Sequence, residues 1–515
     1  MIPIFSSLNM MQRALQANQE AIQITGNNVS NANTDGYSRQ RVNMSESIAY
    51  PGTGINASRG AGQIGTGVTA DSVVRIRDAF VDLQVRDNSN QNGYWSAVND
   101  AYSQMQDIIN EPSDTGISTV LNNFWQSLQD LAGNSGTSGT GSVVLQDGAE
   151  VADTFNYIAD SLGKVQTNLS KQIDENTTLV NNYADQINEL NKEINTQEAN
   201  GLLPNALYDQ RDSLVDKIST LVNIKVTTTP SGGNPSSLAE GRYNIELVDS
   251  DGKSYGDGTA DSPNAMLVDG NSLTNNHLQT TQSTDSDGNP LVTQSLVDKN
   301  KNPIASNLND LQKMSGQIQG EIDAYQKDFP EVLKSLNNMA STLATNFNDA
   351  YAASAGGTSK NEAFFLGSGS GNSEGTVTAA NIHINSDLKG SDVTANANGA
   401  ASGDNSAATA MADVIATDKY DIDNQPTDPE STTLQNYLEA LIGQIGVNAQ
   451  SAGQFSDNSS TLLTAAQNRR SSISGVSTDE ELTNLIQYQQ SYGAAAKVVT
   501  TIDTLLDTLI NKMGV

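Results

Sequence analysis

Two apolar stripes with the same step lie at opposite ends of this chain. Leu485, Tyr488, Tyr492, Ala495, Val499, Ile502, Leu506, Leu509 and Met513 follow one another at intervals of three and four. Near the start, the same step picks out Ile4, Leu8, Met11, Leu15, Asn18, Ile22, Thr25 and Val29. Such an alternation is the seam of a helix that packs lengthwise on another helix. Two such helices bury little except one another, and lone helices are marginal in water. The spacing therefore predicts that the chain leaves and returns to one place. It also predicts that the stripes are an assembly interface, largely disordered in the free monomer and ordered when copies meet. Asn18 inside the first stripe is a device for fixing register.

Between the stripes the period changes twice. Helical patterns run over 3–30, from about Arg77 to Asn110 (Phe80, Leu83, Tyr94, Val98, Tyr102, Met105, Ile109), and after Pro112 through Phe124, Trp125, Leu128 and Leu131. A Gly-Ser loop is expected over 133–142. A long helix follows from about Val143 to Asn200, with Phe155, Leu162, Val165, Leu169, Ile173, Leu179, Tyr183, Ile187, Leu190 and Ile194 on its stripe. Pro204 opens another through Leu207, Leu214, Ile218 and Leu221. From Asn223 the period is two, with Ile224, Val226, Tyr243, Ile245 and Leu247 alternating with polar residues, as strands with one buried face do. Helix returns from about Leu308 to Tyr351, and again from about Leu434 to the end with an interruption near Ser474-Gly475. Residues 42–75 read as extended or hairpin-like linker rather than core, and 353–430 as an irregular excursion with one strand-like piece near Ile382–Ile384.

The expected fold class is mainly α with an inserted β domain: discontinuous terminal α-helical coiled-coil segments, an elongated helical body and an outer β-rich domain. The expected divisions are 1–45 plus 475–515 for the terminal assembly segments and 46–222 plus 306–474 for the body. Residues 223–305 make the β-rich insertion. That nesting predicts a rod with a bulge at the end far from the termini.

Chemistry is sparse. The chain has no cysteine, which removes disulfides and thiolate metal sites. His277 and His383 are the two histidines, both in turn-rich stretches where a solvated surface residue is the expectation. Asp249-Ser250-Asp251-Gly252 and Asp285-Ser286-Asp287-Gly288 resemble the start of a calcium loop, but neither has the bidentate Glu at the twelfth position, so both read as turns. The Gly-x-Gly cluster around Gly60–Gly67 lacks the context of a nucleotide site. No catalytic, cofactor-binding or metal-binding residue is assigned. A net charge of −32 repels nucleic-acid phosphate, and no apolar run approaches the roughly 20 residues that span a bilayer. The charge is uneven: residues 1–45 carry Arg13, Arg39 and Arg41 against Glu20 and Asp35, while the middle is strongly acidic. The start also lacks the basic and apolar regions of a cleaved signal peptide.

Residues 25–40 include Asn27, Asn28, Ser30, Asn31, Ala32, Asn33, Gly36, Tyr37, Ser38, Arg39 and Gln40. This stretch resembles the N-terminal signature of flagellar rod, hook and hook-associated proteins, and its Tyr37-Ser38-Arg39-Gln40 ending resembles the hook-associated members. The stretch from Ser474 to Tyr492 is similar to the same family's ending. Asp35 stands where the family usually has Pro, and Gly493 where it has a stronger helix former. The resemblance implies a structural adaptor at the hook–filament junction, with no enzyme activity and no cofactor. It implies self-association in a ring or tube, contact with hook protein and with a second junction protein (hook-associated protein 3), and an export chaperone on the C-terminal helix. It further implies type III export to the extracellular flagellum. The alternatives are a hook or distal-rod protein, or a secreted adhesin or enzyme that uses flagellar-type ends for export.

Overall fold

The computed structural model describes residues 4–49, 65–109, 116–134, 138–255, 264–285, 289–305, 315–354, 356, 363–367, 376–401, 403–422 and 431–512. The expected helix residues Leu308, Leu311 and Met314, most of the Gly60–Gly67 cluster, residues 286–288 and Met513 lie outside them.

Both termini are helical. Helix α1 (Ile4–Ser30) leads through a turn into strand β1 (Gln40–Glu46), which pairs antiparallel with β2 (Val68–Arg75). Helix α1 packs against this hairpin and against the last helix of the chain. The termini were expected to order only on assembly; in the single chain they already have partners, because hairpin and helices cover one another.

The body begins with α2 (Ala79–Ile109), α3 (Ile117–Gly133) and α4 (Ser138–Ala199). At 62 residues, α4 is about 90 Å long. It starts inside the stretch expected to be a Gly-Ser loop. Gly141 explains how: a Cβ there would stand 2.1 Å from the Gly390 carbonyl oxygen, so only glycine lets the helix lie against the turn at 390–392.

Helix α4 then serves two cores. Its first half carries Phe155 and Leu162 into a cluster with Phe124 of α3 and with Leu343 and Phe347 of α7 (Phe329–Ala352). Phe364, Phe365 and Met411 complete it. These last three fall in the stretch expected to be irregular. That stretch in fact carries a paired β10 (Phe365–Leu366) and β11 (His383–Ile384), and a helix α8 (Ser406–Ala416) in which Ala407, Ala408 and Ala412 are buried. Alanine-rich segments look featureless in sequence, yet small side chains are what allow close helix packing.

The second half of α4 carries Ile173, Val180, Ala184 and Ile187 against Val215 and Ile218 of α5 (Asn205–Leu221). Two antiparallel sheets share this core. One has the order β3 (Ile224–Thr229), β4 (Arg242–Leu247), β5 (Met266–Asp269), β6 (Thr274–Asn275). The other has the order β7 (His277–Thr284), β8 (Pro290–Val297), β9 (Pro303–Ala305). Ile224 faces Leu247 and Val226 faces Ile245, so the period-two reading keeps its register. Helix α6 (Gln317–Asp323) runs through a π turn (Ala324–Asp328) into α7.

The strands do not sit at the far end of a rod: Glu240 in the β3–β4 loop pairs with Arg75 next to the termini. Other expected faces are rotated. Phe80 and Leu83 are exposed while Val81 and Val85 are buried, and Leu179 is exposed beside buried Val180. In each case a neighbouring apolar residue competes for the inner face. The chain ends in α9 (Leu434–Ser474), packed on α2, and α10 (Thr478–Lys512), packed on α1.

Candidate functional site: the terminal joint

The end of α1 and the start of α10 are tied together by the signature residues. Asn28 is 1% exposed. Its amide nitrogen donates to the Gln40 carbonyl at 2.8 Å and to Glu481 Oε2 at 3.0 Å. Its oxygen accepts from the Gln40 backbone N–H at 3.0 Å and from the Tyr37 hydroxyl at 2.8 Å. One asparagine thus satisfies a turn, a strand start and a distant helix. Burial, followed by the charges of Asp209 and Glu481, pushes the Tyr37 hydroxyl up to about 12, so it remains a donor.

The rest of the signature builds the turn. Asn31 donates to the Asn27 carbonyl and side chain, and Ser30 to the Gly26 carbonyl. Gly36 has φ of +77°, the left-handed region that favours glycine. Ser38 is buried and donates its N–H to Asp209. Ala32 is half-buried, and Asn27 and Asn33 are exposed. Arg39 closes the joint from the other side. Its guanidinium meets Glu480 and Glu481 at 2.8 Å each, and its backbone N–H donates to the Ser474 carbonyl.

The contact of Asn28 with Glu481 makes α1 and α10 antiparallel. Leu8, Met11, Leu15, Ile22 and Val29 are half-buried, as are Leu485, Tyr488, Val499 and Leu506, while Ala495 and Ile502 are buried and Tyr492 is 39% exposed. The deepest positions of α1 are Ala17, Ala21, Thr25 and Asn28, and of these only Thr25 belongs to the expected stripe. Helix α1 lies between α10 and the hairpin, and small side chains fit that narrow space. Asn18 donates to the Ala14 carbonyl of its own helix, not across a seam. The side chains of Ile4 and Leu509 lie outside the described residues. Large apolar side chains remain uncovered: Phe5 (68%), Leu482 (48%), Ile486 (54%), Val498 (43%) and Leu505 (57%).

Next to the joint lies a charge cluster that the sequence reading did not find. Arg75 contacts Asp209 at 2.7 Å, Asp212 at 2.9 Å and Glu240 at 2.5 Å. Arg77 contacts Asp82 and Asp212, and Arg86 contacts Asp216. Arg470 reaches Asp216 from α9. Burial opposes the charge on Asp212, but Arg77, Arg75, Arg211 and Arg86 outweigh it and hold this carboxyl well below the usual range. A signal existed: Asp209, Asp212 and Asp216 step by three and four on α5, which sets them on one helix face.

Nothing at the joint resembles a reaction centre. Among the described residues, no group of His, Cys, Asp and Glu could hold a metal ion. His277 pairs with Asp185 at 3.1 Å, and His383 is exposed. Asp249 accepts the backbone N–H groups of Asp251 and Lys253, which is turn chemistry. Among the described residues, no helix is long and apolar enough to cross a membrane.

Three family models match separate stretches of the chain. The model of the flagellar hook-associated protein FlgK helical domain matches residues 102–365. The model of the flagella basal body rod protein matches residues 8–37, and that of the flagellar basal body rod FlgEFG protein C-terminal matches residues 458–512. The chain is 39% identical over 526 residues to flagellar hook-associated protein 1 of Bacillus subtilis (strain 168), covering 100% of this chain and 99% of the relative. The protein of the same name from Escherichia coli (strain K12) is 26% identical over 98% of this chain and 99% of its own. The solved flagellar hook junction protein FlgK from Burkholderia pseudomallei shares the fold, with a TM-score of 0.58 at 14% identity over 76% of this chain and 100% of that one. With a full-length relative at this identity and a helical-domain match over half its length, the chain belongs to the flagellar hook-associated protein 1 (FlgK) family.

Proposed function

We propose that the chain is a structural adaptor of the flagellar hook–filament junction, polymerising in a ring or tube through residues 1–45 and 475–515. The observation that carries this reading is the terminal joint. Asn28, Arg39 and Glu481 bind the two ends into one unit, and that unit leaves Phe5, Leu482, Ile486, Val498 and Leu505 uncovered. Apolar side chains of this size along a helix pair favour burial against neighbouring copies. Within each chain the two terminal helices pack on one another, and their exposed flanks with Tyr492 would meet the next copy.

Hook protein on one side and hook-associated protein 3 on the other are the partners this role requires. An export chaperone on the C-terminal helix would cover the same apolar flank before assembly. Export without a cleaved signal peptide and residence on the extracellular flagellum complete the proposal. The helical body, 46–222 with 306–474, would form the wall of the junction, and 223–305 would face outward. The helical-domain match favours this reading over a hook or distal-rod protein, whose terminal segments are similar.

The test is a deletion strain examined by electron microscopy. Hooks without filaments are expected, with filaments restored by the intact gene. Normal filaments on the deletion strain would contradict the proposal.

A further inference from the structure

The terminal unit (α1, β1, β2 and α10) joins the body by two chain crossings, 76–78 and 475–477. Among the described residues, neither hydrophobic core contains a side chain from 4–75 or from 478–512. The body therefore holds the terminal unit largely by polar contacts. Arg75 reaches Asp209, Asp212 and Glu240, with 3% of its side chain exposed. Asn205 donates to the Val73 carbonyl and Ser38 to Asp209. Arg77, on the first crossing, shares Asp212 with Arg75. Just before the second crossing, Arg470 meets Asp216 and the Ser474 carbonyl accepts from Arg39.

The chemistry of this attachment differs from that of the cores. Apolar contact is non-directional. Arginine–carboxylate pairs fix direction, because the planar guanidinium presents its donors in a rigid fork. Buried ion pairs also add little net stability, since their attraction is offset by lost hydration. A cluster placed at both crossings is suited to setting an angle more than to holding the fold.

We infer that this cluster is an ionic lock that fixes the terminal unit at one orientation on the body, with Asp212 as its central positioning residue. Asp212 accepts from Arg75 and Arg77 at 2.9 Å each and from the Tyr243 hydroxyl at 2.9 Å, so it ties β2, the first crossing and β4 to α5. Without its charge, Arg75 and Arg77 lose their shared partner and the crossing gains freedom to swing. A junction subunit that carries load between two tubes would transmit it through this point.

The cysteine-free chain permits a direct test. The full chain carries spin labels at D71C in β2 and Q106C in α2, both exposed positions. Pulsed electron resonance reads the distance between them. The chain's two tryptophans, Trp95 and Trp125, both lie in the body and report its folding separately. Expected results are one narrow distance in the parent, and loss of that single distance in D212N and R77Q with the tryptophan transition retained. If D212N does not fold, R77Q decides, since that side chain is nearer the surface (15% exposed). A narrow distance unchanged in the folded variants, or a broad one in the parent, would overturn the lock. Filament assembly does not enter this readout, so the result stands or falls apart from the adaptor role.

Discussion

Asn28 and Glu481 stand 453 positions apart in the chain and meet through a 3.0 Å hydrogen bond in a buried joint. Two helices that the sequence shows only as matching stripes become one antiparallel unit there. Replacing Asn28 with Ala would leave the Gln40 N–H and carbonyl and the Glu481 carboxylate without this partner. The expected cost is about 2–3 kcal/mol, the range for orphaned buried polar groups. Hydrogen exchange should show lost protection at the start of α10 and unchanged protection in α4.

Asp328, in the π turn, responds to pH in the direction opposite to most carboxylates. Burial, aided by Asp323 and Glu331 and opposed by the Tyr102 hydroxyl, pushes it up to about 6. The fold thus prefers its neutral form. Its contribution is present below the unfolded value of about 3.9 and is lost as pH rises through about 6. D328N should therefore be more stable than the parent at pH 7.5, by about 1–3 kcal/mol. The gain should vanish at pH 3.5, as read by urea unfolding.

Asp212 has the reverse sign. Its folded value lies below the unfolded one, so its stabilisation is present above about pH 3.9 and is lost as pH falls below that. D212N should cost about 3–5 kcal/mol at neutral pH, as for a broken buried pair. Its stability should then depend less on pH below 4 than that of the parent, measured by acid titration of the unfolding midpoint.

Gly493 lies inside α10, and a Cβ built there meets nothing within 4 Å. G493A should stabilise the helix by about 1 kcal/mol, the intrinsic difference between Gly and Ala. Circular dichroism of the full chain should show later melting of the helical signal that belongs to the terminus.

Much of this was legible in the sequence where periodicity was long. The break at Ser474-Gly475, the helix ending at Ser30 and the strand character of the segments that become β3 and β4 follow from spacing and turn chemistry alone. Two kinds of information were not legible. Where several apolar residues were close neighbours, as at Phe80–Leu83 or Leu179-Val180, tertiary packing chose the face. Where close approach depended on small side chains, as at Ala17, Ala21, Gly141 and α8, no hydrophobic periodicity marks the contact. The ionic cluster escaped for a third reason. Its members come from positions as far apart as Arg75 and Arg470, and charge on a helix face reads as solvated until its partner is known.

In the proposed assembly the apolar flanks of the terminal unit are covered by neighbouring copies. Leu505 tests it best, because it is exposed in the single chain and its loss should leave the fold intact. The measurement is electron microscopy of cells whose only copy carries L505D, beside tryptophan-monitored unfolding of the purified variant. Hooks without filaments, with the same unfolding midpoint as the parent, are predicted. Filaments of normal number on cells carrying L505D would contradict the account.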